Sequence, residues 1–167
     1  GQPSDQGCVG PAIVLHAITE DGKVIHITDR AIPVGPVTLT VNGAVRELHS
    51  RYHSAGHLIA YAGEPSGWRA FKANHRPGEG RVVFRAEENA LPVTAEQLSQ
   101  RVAELVVADL PRLISENQGR RQVTWGHLPA THCGGTHVIS TGKTGNVMIT
   151  KVKQKKDELS VSYQLSE

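Results

Sequence analysis

The stretch Arg51-Tyr52-His53-Ser54-Ala55-Gly56-His57-Leu58-Ile59 places two histidines four residues apart and follows them with apolar side chains. On an α-helix, residues i and i+4 lie one above the other on the same face. The imidazoles of His53 and His57 can therefore reach one metal ion from a single helix face. The alternative is that this helix contains two of the chain's nine histidines without binding a metal.

A second pair repeats the four-residue spacing with a thiol and an imidazole, in the segment Cys133-Gly134-Gly135-Thr136-His137. Together the two pairs supply one sulfur and three nitrogens, a ligand set that suits Zn²⁺. We therefore predict a zinc site formed by His53, His57, Cys133 and His137. Because a long segment separates the pairs, tertiary folding has to bring them together, which is more typical of an enzyme core than of a small zinc finger.

The composition narrows the class of protein. A length of 167 residues and a hydrophobic fraction of 38% fit one domain, with two lobes possible. The sequence has no apolar run of about eighteen residues and no signal-peptide pattern, so we predict a cytoplasmic protein without a membrane partner. The net charge of +2 neither requires nor excludes nucleic acid. We predict that Cys8 and Cys133 stay reduced, because a metal-bound thiolate does not form a disulfide.

Apolar and β-branched runs between turn residues predict strands. The predicted strands are 12–18, 24–28, 37–41, 81–85, 122–125, 145–152 and 159–165. Residues 1–7 and 68–80 are predicted as loop and turn. One helix is expected to begin between residues 44 and 50 and to carry the histidine pair. Another is expected to begin at the capping box of Thr94 and Gln97 and to end or kink at Pro111. This order of elements predicts an α+β fold with mostly antiparallel sheet.

Five segments of the chain resemble the freestanding alanyl-tRNA editing proteins, which are related to the editing domains of alanyl-tRNA and threonyl-tRNA synthetases. They are GQPSD (1–5), RYHSAGHL (51–58), KANHRPGEG (72–80), CGGTHV (133–138) and KKDELSVSY (155–163). The segments occur in the family's order and cover nearly the whole chain. One departure is Arg76, where the family usually has an aromatic residue.

The resemblance implies zinc-dependent hydrolysis of misacylated tRNA, mainly Ser-tRNA(Ala) and in some members Gly-tRNA(Ala), in trans as translational proofreading. The implied partner is tRNA(Ala) and not DNA, and the oligomeric state stays open. The implied fold joins a small β-barrel-like N-terminal lobe, residues 1–43, to a helix-on-antiparallel-sheet editing domain, residues 44–167. We expect the first lobe to be incomplete, because the family's preceding strand and longer glycine loop are missing here.

The resemblance places catalysis at the zinc site, with His53, His57 and Cys133 as its principal ligands. If His137 is distant or exchangeable, the fourth position is open to water or substrate, whereas four bound ligands close the site and make it structural. Zinc in an open site activates water and polarises an ester carbonyl. Gly134 and Gly135 form either a turn that stabilises an oxyanion or a tight turn that only positions the ligands.

Six further residues are predicted to bind substrate: Gln2, Asp5, Lys72, His75, Lys151 and Lys153. The first two lie in the segment that resembles the family's glycine-rich loop. Lys72 and His75 are expected to contact the terminal adenosine or its phosphate, and a solvated loop is the alternative. Lys151 and Lys153 belong to a basic stripe with Lys155 and Lys156, which suits tRNA phosphates but also ordinary solvated surface.

Two hypotheses of different classes follow. One is a zinc-dependent aminoacyl-tRNA deacylase, and the other is a non-catalytic, zinc-stabilised tRNA-binding module. A zinc hydrolase acting on another ester is a weaker third. The cytidine-deaminase class is disfavoured, because its H-x-E and P-C-x-x-C pattern is absent.

Overall fold

The computed structural model describes residues 1–166 and has a mixed α+β architecture, which confirms the predicted fold class. The helices are α1 (Gly43–Gly63) and α2 (Ala95–Val107), with short 3₁₀ turns at Glu64–Ser66 and Thr141–Thr144. The strands are β1 (Gly7–Val9), β2 (Ala12–Glu20), β3 (Lys23–Thr28), β4 (Leu39–Val41), β5 (Trp68–Asn74), β6 (Gly80–Ala86), β7 (Arg112–Asn117), β8 (Arg120–Trp125), β9 (Thr131–His132), β10 (Val147–Lys155) and β11 (Glu158–Leu165).

The chain divides into two compact units, one formed by Pro3–Leu48 and the other by Gly1–Gln2 together with His49–Glu167. In the first unit, four antiparallel strands lie in the order β3-β2-β1-β4. The β2–β3 hairpin turns at Asp21 and Gly22, which both have positive φ, as the predicted tight turn requires. No sheet of residues 1–166 closes into a barrel, so the expected barrel-like lobe is an open sheet. Within residues 1–166, its two edge strands, β3 and the three-residue β4, do not pair with each other.

In the second unit, the part of helix α1 from His49 onward packs against an antiparallel sheet of order β10-β11-β6-β5. Leu58 and Ile59 of the helix are fully buried together with Phe84 of β6 and Val161 of β11. Gly63 permits this approach, because a Cβ there would collide with the ring of Phe84. The core therefore fixes the face of α1 that carries the two histidines.

The prediction of a turn over residues 68–80 is wrong for most of that segment. Strand β5 occupies Trp68–Asn74, and the turn is confined to the residues between β5 and β6. The indole of Trp68 is buried and donates a hydrogen bond to the carbonyl of Leu91 at 2.8 Å. The proline and glycine signals come from Pro77, Gly78 and Gly80, which all follow the strand and do not interrupt it.

A smaller antiparallel sheet of order β7-β8-β9 leads into the Cys133 segment. Helix α2 begins at the predicted capping box, in which Thr94 Oγ1 accepts from the backbone N–H of Gln97 and the Gln97 side chain accepts from the N–H of Thr94. This helix ends at Val107, before Pro111, which instead pairs with Ser140. Neither helix of residues 1–166 combines the length and hydrophobicity that a membrane span needs.

Candidate metal centre

The four residues predicted as zinc ligands lie together in the second unit. His53, His57, Cys133 and His137 each present one ligand atom, and these atoms all lie within 4.8 Å of one another. Helix α1 supplies the two histidines from successive turns, and their ring centroids are 5.1 Å apart. The ring of His137 lies 4.2 Å from that of His53 and 4.7 Å from that of His57.

The distances around Cys133 fit a tetrahedral metal site. Its Sγ lies 3.4 Å from Nε2 of His53 and 3.3 Å from Nε2 of His137. Zinc–sulfur and zinc–nitrogen bonds in a tetrahedron separate such ligand atoms by about 3.5 Å. A thiolate with imidazoles is also the donor set that zinc prefers. The residues present therefore fit a zinc ion.

Each histidine of the cluster has an oxygen partner at its second ring nitrogen. Nδ1 lies 2.7 Å from Gln2 Oε1 in His53, 3.4 Å from Thr131 Oγ1 in His57 and 3.2 Å from Ser54 Oγ in His137. Such partners fix the tautomer and the orientation of a ligating imidazole.

For His53 the tautomer follows from the network. Gln2 Oε1 accepts a hydrogen bond from the backbone N–H of Thr136 at 2.9 Å, and Gln2 Nε2 donates to Thr136 Oγ1 at 2.6 Å. These two bonds orient the amide, so its oxygen faces Nδ1 of His53. Since that oxygen has no proton to donate, Nδ1 carries the hydrogen. Nε2 then offers a lone pair beside the Cys133 sulfur.

Burial keeps the histidines of the cluster neutral. It lowers the pKa of His53 and of His137 to about 2, with further lowering from the neighbouring imidazoles. Burial alone lowers the pKa of His57 to about 4. A neutral imidazole is the form that binds metal, so all three rings are in the binding form at pH 7.

Two arginines hold the backbone of the segment that carries Cys133. Arg121 Nη1 donates to the carbonyls of Cys133 at 2.9 Å and Gly135 at 2.8 Å, and Arg112 Nη1 donates to the carbonyl of His137 at 2.5 Å. Both arginines lie on the small sheet of β7, β8 and β9. The sheet thereby fixes the second ligand pair relative to the first.

The two glycines between these ligands differ in their surroundings. A Cβ on Gly135 would collide with the ring of His53 and would lie 2.7 Å from Gln2 Oε1. A Cβ on Gly134 would meet no atom within 4 Å. Close packing against His53 therefore accounts for glycine at 135. The predicted role in stabilising an oxyanion stays a prediction for both positions.

A cavity of about 330 Å³ opens beside the cluster. Its walls include three of the proposed ligands, His53, His57 and Cys133, and also Lys72 and His75. The structure thus brings these five sequence-predicted residues to one cavity.

His75 is held against α1 by a short chain of hydrogen bonds. Tyr163 Oη donates to the carbonyl of Tyr52 at 2.8 Å, so the same oxygen accepts from Nδ1 of His75, also at 2.8 Å. Nε2 of His75 is then an acceptor. Burial lowers the pKa of His75 to about 3. The ring fits because residue 56 is glycine, where a Cβ would collide with it.

The other predicted substrate-binding residues lie elsewhere. Lys151 and Lys153 are exposed on β10, the edge of the sheet opposite β5. Asp5 belongs to the first unit, where its carboxylate pairs with Arg46. Gln2 contacts His53 and Thr136 through its side chain, as described above.

Sequence reasoning missed the hydroxyl groups of Ser54 and Thr131 and the guanidinium of Arg121. Ser54 is the residue directly after His53 and is fully buried. The one sequence signal that could have identified Ser54 is its position, as a small polar residue between two histidines on a helix. Thr131 and Arg121 form no pattern with the ligands, because the small sheet alone brings them close.

No protein-family model matches the chain. Three alanine–tRNA ligases are similar to it along 94% of its length: those of Methanocella arvoryzae and Archaeoglobus fulgidus, each 26% identical, and that of Methanothrix thermoacetophila, 24% identical. The chain spans about a fifth of the length of these relatives, 20% or 21%. These similarities agree with the resemblance to alanyl-tRNA editing domains in its broad form.

Proposed function

We propose that this chain hydrolyses the ester bond of misacylated tRNA(Ala), with Ser-tRNA(Ala) as the main substrate and Gly-tRNA(Ala) as a second. The single observation that carries the proposal is the cluster of His53, His57, Cys133 and His137 beside an open cavity. The similarity to alanine–tRNA ligases supports tRNA(Ala) as the partner. The proposed reaction is translational proofreading in trans, performed in the cytoplasm.

The proposed cofactor is zinc, held by His53, His57 and Cys133 of the cluster, with His137 as an exchangeable fourth ligand whose position opens to water or substrate. A bound zinc ion supplies Lewis-acid chemistry for the ester carbonyl and for a water nucleophile. Gln2, Ser54 and Thr131 keep the imidazoles in the orientation that faces the centre. Ala60 and Val82 give part of the cavity wall an apolar surface.

His75 is proposed to orient the terminal adenosine. Because Tyr163 fixes its Nδ1 as a donor, Nε2 can accept a hydrogen bond from a ribose hydroxyl or from the attacking water. Lys72, which lines the same cavity, is proposed to contact the adjacent phosphate. The proposal keeps the predicted role of Asp5 in substrate binding. It also keeps oxyanion stabilisation as the role of Gly134 and Gly135.

A second candidate function has a specific observation in its favour. All four ligand atoms lie within 4.8 Å of one another, so all four residues can bind the same ion. A zinc ion with four protein ligands has no open position, and such a site is structural. In this reading the chain is a zinc-stabilised tRNA-binding module without hydrolytic activity. The two candidates differ in whether zinc-loaded protein consumes an ester.

The deciding experiment incubates zinc-loaded protein with Ser-tRNA(Ala), Ala-tRNA(Ala) and Thr-tRNA(Thr) and follows loss of the labelled amino acid. Elemental analysis should find about one zinc per chain. We expect Ser-tRNA(Ala) to be hydrolysed and the two correctly charged tRNAs to be spared. Stable Ser-tRNA(Ala) in the presence of zinc-loaded protein that binds tRNA would support the binding module instead.

A further inference from the structure

Phe71 is a half-exposed aromatic residue at the cavity that adjoins the metal centre. Its side chain is 48% exposed, and it forms part of the cavity wall. Burying a phenylalanine contributes about 1.5–3 kcal/mol on folding, so a ring left in solvent forgoes much of that stabilisation. The other phenylalanine of the chain, Phe84, is fully buried in the core.

A β-bulge determines where Phe71 lies. Ala70 pairs with Phe84 and Lys72 pairs with Val83, so Phe71 is the extra residue of β5. A bulge of this kind changes the direction of a side chain and is frequent beside active sites. Because β5 is an edge strand, no further strand of its sheet covers this side of Phe71.

An arginine contacts the ring of Phe71. The guanidinium carbon of Arg85 lies 4.6 Å from the ring centroid, in a cation–π contact. The next residue along β5 is Lys72, an exposed cation that lines the same cavity. An aromatic ring with a guanidinium against it and an ammonium group next to it is the combination that binds single-stranded nucleic acid by stacking and phosphate contact.

We propose that Phe71, backed by Arg85, is the stacking platform for the terminal nucleobase of the RNA whose aminoacyl ester enters the cavity. This inference rests on the proposed function and assigns one part of its substrate. A seryl or glycyl group is small and offers no flat surface to an aromatic ring. The base of the esterified nucleotide is the part of the substrate that a ring can stack against, with Lys72 beside its phosphate.

The experiment measures binding of the trinucleotide CCA without an ester and of the same trinucleotide with an abasic third position. Phe71→Ala is expected to weaken CCA binding about tenfold, since stacking of one base on an aromatic side chain contributes on that order. Phe71→Trp should retain binding and show quenching of its fluorescence on addition of CCA. Leu113→Ala, which removes another exposed apolar side chain away from the cavity, should leave binding unchanged.

The abasic trinucleotide should bind the parent protein and Phe71→Ala equally weakly. The inference is overturned if Phe71→Ala binds CCA as Leu113→Ala does, if it weakens the abasic probe to the same degree, or if the parent protein shows no base-dependent binding. Failure of the proposed function gives a different result, namely base-dependent CCA binding by a protein that leaves Ser-tRNA(Ala) intact. Zinc content is measured for each variant and should equal that of the parent protein.

Discussion

Ser54 illustrates how a single hydroxyl can orient a candidate metal ligand, His137. Its side chain is fully buried, accepts a hydrogen bond from the backbone N–H of Val138 at 3.1 Å and lies 3.2 Å from Nδ1 of His137. Losing the hydroxyl removes both the partner that orients the imidazole and the anchor of the following residue. Loss of the hydroxyl should therefore lower zinc affinity, and the unpaired N–H of Val138 should also lower the stability of the fold.

We expect Ser54→Ala to weaken zinc affinity by about 10- to 100-fold, the range found when a partner of a ligating histidine is lost. The measurement is a zinc titration in competition with a chromophoric chelator. Ser115→Ala is the matched control, because Ser115 is exposed on β7. Equal zinc affinity in the two variants would contradict the assigned role of Ser54.

The buried histidines also predict how the metal-free protein responds to acid. Burial lowers the pKa of His57 to about 4 and of His53, His75 and His137 to between about 2 and about 3. The unfolded chain takes up these protons near pH 6.5, whereas the folded chain does not. The free energy of unfolding is therefore retained above pH 6.5 and falls as the pH drops towards 4.

Each such histidine contributes a slope of about 1.4 kcal/mol per pH unit inside this window. Urea unfolding of metal-free protein between pH 7 and pH 4.5 measures the slope. His57→Gln should lower the slope of unfolding free energy against pH by about 1.4 kcal/mol per pH unit, the contribution of one proton. His127→Gln, at an exposed position, should leave this slope unchanged. A parental stability that does not change over this range would contradict the burial of neutral imidazoles.

At the scale of elements, strand β10 carries the predicted tRNA surface. A register shift between Ile149 and Lys151 lets Val147, Ile149 and Val152 pack against the core while the lysines stay exposed. Lysines on an edge strand also prevent pairing with the sheet of another molecule, so the basic stripe could protect the sheet edge and not bind tRNA. Measuring tRNA binding distinguishes these two roles.

Replacing Lys151 and Lys153 with alanine should weaken tRNA binding and reduce the slope of log K against log salt concentration by about one or two units. The matched control replaces Lys23 and Lys143, two exposed lysines outside β10, and removes the same charge. If both double variants change the slope equally, the effect is one of net charge and not of the β10 surface.

The elements differ in how well the sequence predicted them. Helices α1 and α2 and the last hairpin have clear periodicity or capping signals, and the structure confirms them. Strand β5 was predicted as a turn because of a proline and a glycine that lie in the turn after it. Strand β7 was missed because its apolar residues Leu113 and Ile114 are adjacent and exposed, so no alternation marks a buried face.

At the scale of the whole molecule, the grouping of the four candidate ligands was predictable and its environment was not. The four-residue spacing alone pairs His53 with His57 and Cys133 with His137. Their meeting depends on the small sheet and on Arg121, contacts between residues far apart in sequence. The position of Phe71 likewise follows from a β-bulge that no local sequence pattern indicates.

The second unit has an extensive apolar core beside the candidate metal centre. Trp68, Phe84, Leu98 and Val161 are almost completely buried, whereas Cys133 is only partly buried beside this core. A domain that zinc folds would depend on the metal for most of its stability. The packing here instead predicts that the fold persists when one ligand is lost.

We therefore expect Cys133→Ala to remain folded, to lose zinc and to lose hydrolysis of Ser-tRNA(Ala). Circular dichroism and thermal melting of the metal-free proteins should give melting temperatures within about 4 °C of each other, the shift that roughly 1 kcal/mol produces in a chain of this size. Cys8→Ala removes the other thiol, which lies in the first unit, and should keep both zinc and activity. A folded Cys133→Ala protein that hydrolyses Ser-tRNA(Ala) at the parental rate would remove the catalytic assignment. Metal-free parent protein that is unfolded, as metal-free Cys133→Ala then also would be, would favour a structural zinc site, because the fold would then depend on the metal.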